Sequence, residues 1–313
     1  MRHGDRTRGS WLTLVAMIVV LLVVTEWSYW PTTVSLFKEW QRNDDYSAGQ
    51  LVPLVVIFLL WRERKALRDC QAKPSWVWGM LLLLLAQAAR LYGLLFMFES
   101  AERYSLVLTV AGLVLIVAGW QVFLRLKWIL LFLFLMVPFP GRIHNMISSP
   151  LQRIATTGSV FLLEALGVRV SQQGNVVTLN GTLPLAVAEA CSGLRMLTAF
   201  IIVAAFIAYM VNRPWAQKVI LLASSILVAV LCNIVRISVT AVLMVMVNAD
   251  VAQKFFHDFA GLVMMPIAVL LMFAEIGLMD RVIIPEADPG QGQQIVSARA
   301  RSGSSGNAAQ KGT

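Results

Sequence analysis

Eight apolar runs partition this chain, at roughly residues 11–30, 47–61, 76–98, 105–124, 128–139, 192–211, 216–246 and 258–280. A helix rises about 1.5 Å per residue and a bilayer core is about 30 Å thick, so a run of about 20 apolar residues is one that water does not solvate and lipid does. With 58% apolar and only 14% charged residues over 313 positions, the whole composition agrees with the runs. The expected fold class is therefore an all-α polytopic membrane protein of about eight transmembrane helices. The first run continues from Trp11 through Trp30 without a small-residue cleavage site, and is expected to stay as a first helix rather than act as a removed leader.

The fifth run ends in Met136-Val137-Pro138-Phe139-Pro140-Gly141, where two prolines stop a helix, so that helix is expected to be short or tilted. Beyond it, residues 141–190 form the longest stretch of mixed polarity. Ile143, Met146, Ile147, Leu151, Ile154, Val160, Leu163 and Leu166 recur at helical spacing and predict an amphipathic helix along the membrane surface. The following segment alternates apolar residues with Gln, Asn and Gly up to Leu185, and Asn180-Gly181 predicts the tight turn of a small hairpin. The domain expected is thus 1–285, membrane-embedded, followed by a tail at 286–313 too poor in large apolar residues to fold.

The formal charge of +9 does not point to nucleic acid. Its basic residues fall in short segments between apolar runs: Arg2, Arg6 and Arg8; Arg62, Arg64, Lys65, Arg68 and Lys73; Arg125 with Lys127; Arg213 with Lys218. Threading eight helices in order puts all four groups on one side, which should be cytoplasmic, with both termini inside and 141–190 outside. Three cysteines, Cys70, Cys191 and Cys232, give neither a disulfide framework nor a zinc-ligand spacing. No cofactor is called for, and a metal site from Cys191, His257 and Glu189 lacks ligand-type spacing.

Charged residues within apolar runs cost about 2.5–3.5 kcal/mol near a bilayer centre, and Arg90, Arg195 and Arg236 are placed that way. Snorkelling accounts for Arg90 equally well. Asn233, Arg236 and Thr240 are spaced by three and four residues, a polar stripe along one helix face that suits a cavity or a partner helix. Cys191 stands where the outer segment enters the sixth apolar run, followed by Ser192 and by Arg195 one turn along. A helix N-terminus and a nearby guanidinium both favour the thiolate, the reactive form of cysteine. His257, in Phe255-Phe256-His257-Asp258, begins the eighth run on the same outer side. Nucleophile, proton carrier and fixed cation together suffice for acyl transfer.

The stretches Ala188-Glu189-Ala190-Cys191-Ser192-Gly193-Leu194-Arg195, Asn233-Ile234-Val235-Arg236-Ile237 and His257-Asp258-Phe259-Ala260-Gly261 resemble motifs of the exosortases and their archaeal relatives. Met136-Val137-Pro138-Phe139-Pro140 and Tyr46-Ser47-Ala48-Gly49-Gln50 are similar in support, although Ala48 stands where that family usually carries histidine. The resemblance implies a multipass cysteine transpeptidase of a bacterial inner membrane, with Cys191, Arg236 and His257 catalytic and Arg195, Glu189, Asn233 and Ser192 supporting. It further implies exported protein substrates bearing a C-terminal tag made of a short motif, a membrane helix and a basic cluster. The acceptor would be a membrane lipid or another amine, in a setting linked to exopolysaccharide production. Two other functions fit the same residues: a transporter with Arg236 and Arg90 along an anion path, which would lack the usual paired halves, and a non-catalytic scaffold of an export complex.

Overall fold

A computed structural model describes residues 3–70, 73–181, 183–186, 193–247 and 260–282. It divides into two compact units, 1–272 and 273–313. The first carries α1 (His3–Arg42), a 3-10 helix (Asp44–Gln50), α2 (Leu51–Arg68), α3 (Trp76–Leu95), α4 (Glu99–Val117) and α5 (Gly119–Leu133), which tightens into a 3-10 turn at Phe134–Met136. After the prolines come α6 (Gly141–Ala165), strands β1 (Val170–Gln173), β2 (Val176–Leu179) and β3 (Leu183–Ala186), then α7 (Leu194–Met210) and α8 (Trp215–Met246). The last described helix, α9 (Ala260–Val282), begins in the first unit, and the second unit is described only as its continuation from Phe273 to Val282.

The protein is mostly helical, and among the described residues five helical segments are long and apolar enough to cross a membrane: Ala16–Arg42, Trp76–Leu95, Glu99–Val117, Gly119–Met136 and Trp215–Met246. The other three expected spans differ in kind. Helix α2 has the length but ends in Arg62, Glu63, Arg64, Lys65 and Arg68; α7 is apolar but shorter, with 17 residues; and Val269–Met279 is the described apolar stretch of α9.

Small residues set the closest helix pair. Gly79, Ala86 and Gly93 recur every seventh position on α3 and are buried against α4. A Cβ on Gly79 would lie 2.4 Å from the Ile116 side chain and 3.1 Å from the Gly112 carbonyl, so the two backbones are in near contact. Polar side chains then join α1 to this pair. Tyr29 Oη lies 3.0 Å from Thr109 Oγ1 and accepts from Ser105 Oγ and Gln87 Nε2 at 3.2 and 3.3 Å. Inside a bilayer such bonds have no water competing for them.

The break between α4 and α5 falls at Gly119, not near residue 125 where charged Arg125 and Lys127 suggested it. Gly119 has φ +82° and lies against the backbone of Lys73, an approach that apolar counting does not reveal. Ser75 backs the same junction, its N–H donating to the Leu115 carbonyl and its hydroxyl accepting from the Trp120 N–H.

In the segment 141–190 the expected helix is present as α6, over 141–165. The expected hairpin is one strand larger: β1, β2 and β3 make an antiparallel sheet in that order, with Val170 opposite Leu179 and Leu179 opposite Leu183. Asn180 and Gly181 both have positive φ, within the three-residue connection between Leu179 and Leu183. Val177 and Leu179 alternate inward on β2 and pack with Ala155 and Leu163 of α6 and Ile237 and Ala241 of α8. The sheet thus packs over the α6–α8 pair.

Candidate active site

Helix α7 starts abruptly. Gly193 precedes it in the left-handed region, φ +69° and ψ −21°, and its carbonyl takes the first helical bond from the Leu197 N–H at 3.0 Å. No side chain caps this end among the described residues. A Cβ on Gly193 would sit 3.0 Å from Asn233 Nδ2 and 3.7 Å from Leu151 Cβ, so α6, α8 and the turn into α7 converge there.

Asn233 is 2% exposed, and its Oδ1 has no hydrogen-bond partner among the described residues. One turn further, Arg236 is 6% exposed, and Thr240 and Ser238 on the same stretch are buried. Their hydroxyls are absorbed by α8 itself: Thr240 Oγ1 donates to the Arg236 carbonyl and Ser238 Oγ to that of Ile234, both at 2.9 Å. Ser159 of α6 reaches the same Ile234 carbonyl at 3.3 Å. The polar stripe read from sequence is therefore an inward face. It holds a guanidinium and a carboxamide in low dielectric, where fixed dipoles act on a developing charge more strongly than in water. Gly193→Ala is expected to cost about 1–3 kcal/mol in backbone strain and to push Asn233 aside. Unfolding of the purified variant, compared with Gly141→Ala, which meets nothing within 4 Å, measures it; equal stability would refute the close approach.

A second polar cluster lies at the other side of α7. The 3-10 helix Asp44–Gln50 is capped by Asn43, whose side chain accepts from the Asp45 N–H at 3.1 Å. Thr198 Oγ1 of α7 donates to the Asp45 carbonyl at 2.9 Å, and Arg195 pairs with Asp44 at 3.2 Å. Tyr46 is buried, and its hydroxyl lies 2.9 Å from His144 Nδ1 of α6. Burial, then the charge of Asp45, push the Tyr46 phenol up to about 12, partly offset by a backbone hydrogen bond from Phe139. His144 thus lies between the Tyr46 hydroxyl at Nδ1 and Asp45 at Nε2, whose Oδ2 is 3.8 Å away.

Arg195 is thus an interfacial ion-pair partner of Asp44, with both side chains more than a third exposed. Glu189, Cys191, Ser192 and His257 lie outside the described residues. Of the other arginines, Arg90 bonds Ser28 Oγ at 2.9 Å and the Ser28 carbonyl at 2.6 Å, and its guanidinium lies 4.1 Å over the Tyr29 ring. These bonds tie α3 to α1. Sequence reasoning missed Arg103, which is 5% exposed and held by Glu99 one turn back and by Ser35 of α1. It also passed over His144 and Tyr46, 98 positions apart. The signal available was local only, an Asp-Asp-Tyr run and a histidine at the mouth of an amphipathic helix. Among the described residues no group of three or more histidines, cysteines or carboxylates is placed to hold a metal ion.

The sequence profile of the transmembrane exosortases matches residues 40–274, well over half of the chain, covering the convergence at Gly193 and both polar clusters. No curated protein and no solved structure gives a significant match.

Proposed function

Because the chain belongs to the transmembrane exosortase family, whose members are membrane-embedded sorting transpeptidases, we propose that it cleaves a C-terminal tag from exported proteins by cysteine chemistry and transfers them to an amine acceptor. The observation that supports this reading is the convergence of Asn233 and the buried Arg236 face on the Gly193 turn. Two peptide units separate Cys191 from Gly193, a reach of about 7 Å, so the thiol is tethered close to the turn that Asn233 touches, with Arg236 one helical turn further along α8.

The thiolate of Cys191 attacks the scissile carbonyl carbon. Negative charge moves to the carbonyl oxygen, where the Arg236 guanidinium balances it. His257 gives its proton to the leaving amine as the C–N bond breaks, and a thioester remains on Cys191. The incoming acceptor amine loses a proton to His257, attacks the thioester and restores the thiolate. Glu189, Ser192 and Arg195 border the nucleophile in the chain, and Asn233 supports its turn.

The orientation follows the basic segments. Helices α2, α7 and α9 join the five long spans to make eight crossings, with Arg62, Arg64, Lys65, Arg68 and Arg213 cytoplasmic and α6 with the sheet lying along the periplasmic surface of the bacterial inner membrane. The tag helix then docks from within the bilayer and presents its outer end to Cys191, which raises its effective concentration. The anion-path alternative needs Arg90 and Arg236 in one channel, whereas Arg90 is committed to Ser28 and Tyr29.

Coexpression with a tagged candidate substrate, followed by mass analysis of its new C-terminus, tests the function. Arg236→Lys retains charge but loses the planar fork of donors. Processing should fall by about 10²-fold or more while the variant accumulates in membranes like the parent. Processing within twofold of the parent would remove Arg236 from the mechanism.

A further inference from the structure

A groove of about 330 Å³ opens between α2, α5, α7 and α8, far along α7 from Gly193. Leu59, Leu131, Leu135 and Leu222 form its walls, and on α7 the small side chains of Ala205 and Ala208 leave space between Ile201 and Tyr209. Two of its four helices, α5 and α8, lie in segments apolar enough to span a membrane, and Leu131 of α5 is exposed. In a bilayer the groove opens onto lipid.

Its mouth has a different chemistry. Trp128 and Trp215 meet there with ring centroids 5.1 Å apart, and Lys218 lines the rim. Lys127 lies with its Nζ 5.2 Å from the Trp128 ring centroid. The nearby acid, Glu63, is paired with Arg125 at 3.3 Å, and the lining contains no carboxylate. Paired tryptophans beside two lysines are the pattern of a membrane interface facing phosphate.

The charge at the mouth selects the occupant: two ammonium groups beside paired tryptophans suit a lipid phosphate, and the apolar walls suit an acyl chain. We infer that the groove is a binding site for an anionic phospholipid, with one acyl chain between Leu59, Leu131, Leu135 and Leu222 and the phosphate held by Lys218 and Lys127. A zwitterionic lipid satisfies the apolar wall but brings its own cation to the two ammonium groups.

The test uses the full chain in mild detergent, offered phosphatidylglycerol or phosphatidylcholine of identical acyl chains, with retained lipid counted by native mass spectrometry. Two lysines near the headgroup should give about a 30-fold preference for phosphatidylglycerol. The double change Lys127→Gln and Lys218→Gln should bring that preference close to parity while phosphatidylcholine retention stays as it was. Filling the floor with Ala205→Leu and Ala208→Leu should lower retention of both lipids at least tenfold. Equal retention of the two lipids by the parent overturns the inference, as does undiminished phosphatidylglycerol binding in the lysine variant, which folds independently of the filled one. Neither readout requires turnover, so it stands or falls apart from the proposed transpeptidase chemistry.

Discussion

Replacing Cys191 by alanine should abolish processing of a tagged substrate, by more than about 10³-fold, while the protein still inserts and accumulates. The argument is chemical. Serine at this position keeps the shape but has a hydroxyl that neither a helix terminus nor a guanidinium ionises near neutral pH, so Cys191→Ser should be as inactive. The other two thiols are poor substitutes. Cys70 donates to the Ala66 carbonyl at 3.4 Å on the basic end of α2, and Cys232 is buried within α8. Cys70→Ala should therefore process at the parental rate. Processing that survives in Cys191→Ala, measured by the new C-terminus of the substrate, would leave only the polytopic fold and the family assignment standing.

The second large effect is structural. Gly119→Ala should destabilise the protein by more than about 3 kcal/mol and reduce the amount of folded protein recovered from membranes. A Cβ there would lie 1.7 Å from the Lys73 carbonyl oxygen and 2.6 Å from its carbon. Both are backbone atoms, so no rotamer change relieves the clash, and φ +82° adds strain of its own. Relief requires the loop at Lys73 to leave the α4–α5 junction, which breaks the bonds from Ser75 to Leu115 and Trp120. Thermal unfolding in detergent against the Gly141→Ala control reads the effect. A variant as stable as that control would show that the junction is loose.

Which features were legible in the sequence follows from the range over which they are determined. Pro138 and Pro140 end a helix by local sterics, and α5 with its 3-10 turn stops at Met136 as expected. Asn180-Gly181 specifies its turn by backbone preference alone, and that turn is present. The helical spacing from Ile143 to Leu163 identifies α6. The stripe of Asn233, Arg236 and Thr240 was visible because one helix carries all three, and its burial agrees. What remained hidden depends on contacts between distant segments. Gly119 is one glycine among 20 until Lys73 is seen against it. Arg103 reads as part of a polar loop between apolar runs, because its burial is made tolerable by Glu99 and Ser35 on two different helices. Asp44 and Asp45 read as a polar connection leading into the second apolar run, and only the packing of α6 and α7 around the 3-10 helix turns Asp45, Tyr46 and His144 into a cluster.

The cluster also bears on how the start of α7 is positioned. Thr198 and Arg195 fasten α7 to the 3-10 helix on one side, while Asn233 packs against the Gly193 turn on the other. The first turn of α7 is thereby contacted from two directions, which is what the nucleophile proposed two residues upstream of Gly193 needs for a reproducible angle of attack.

The most direct measurement is the identity of the acylated residue. Purified protein is mixed with a tagged substrate in the absence of acceptor, quenched in acid and digested, and the adduct is mapped by mass. The account predicts the substrate's N-terminal portion attached to the peptide containing Cys191, released by hydroxylamine as a thioester must be. An adduct on another residue, or turnover of the substrate by the Cys191→Ala protein, would contradict it.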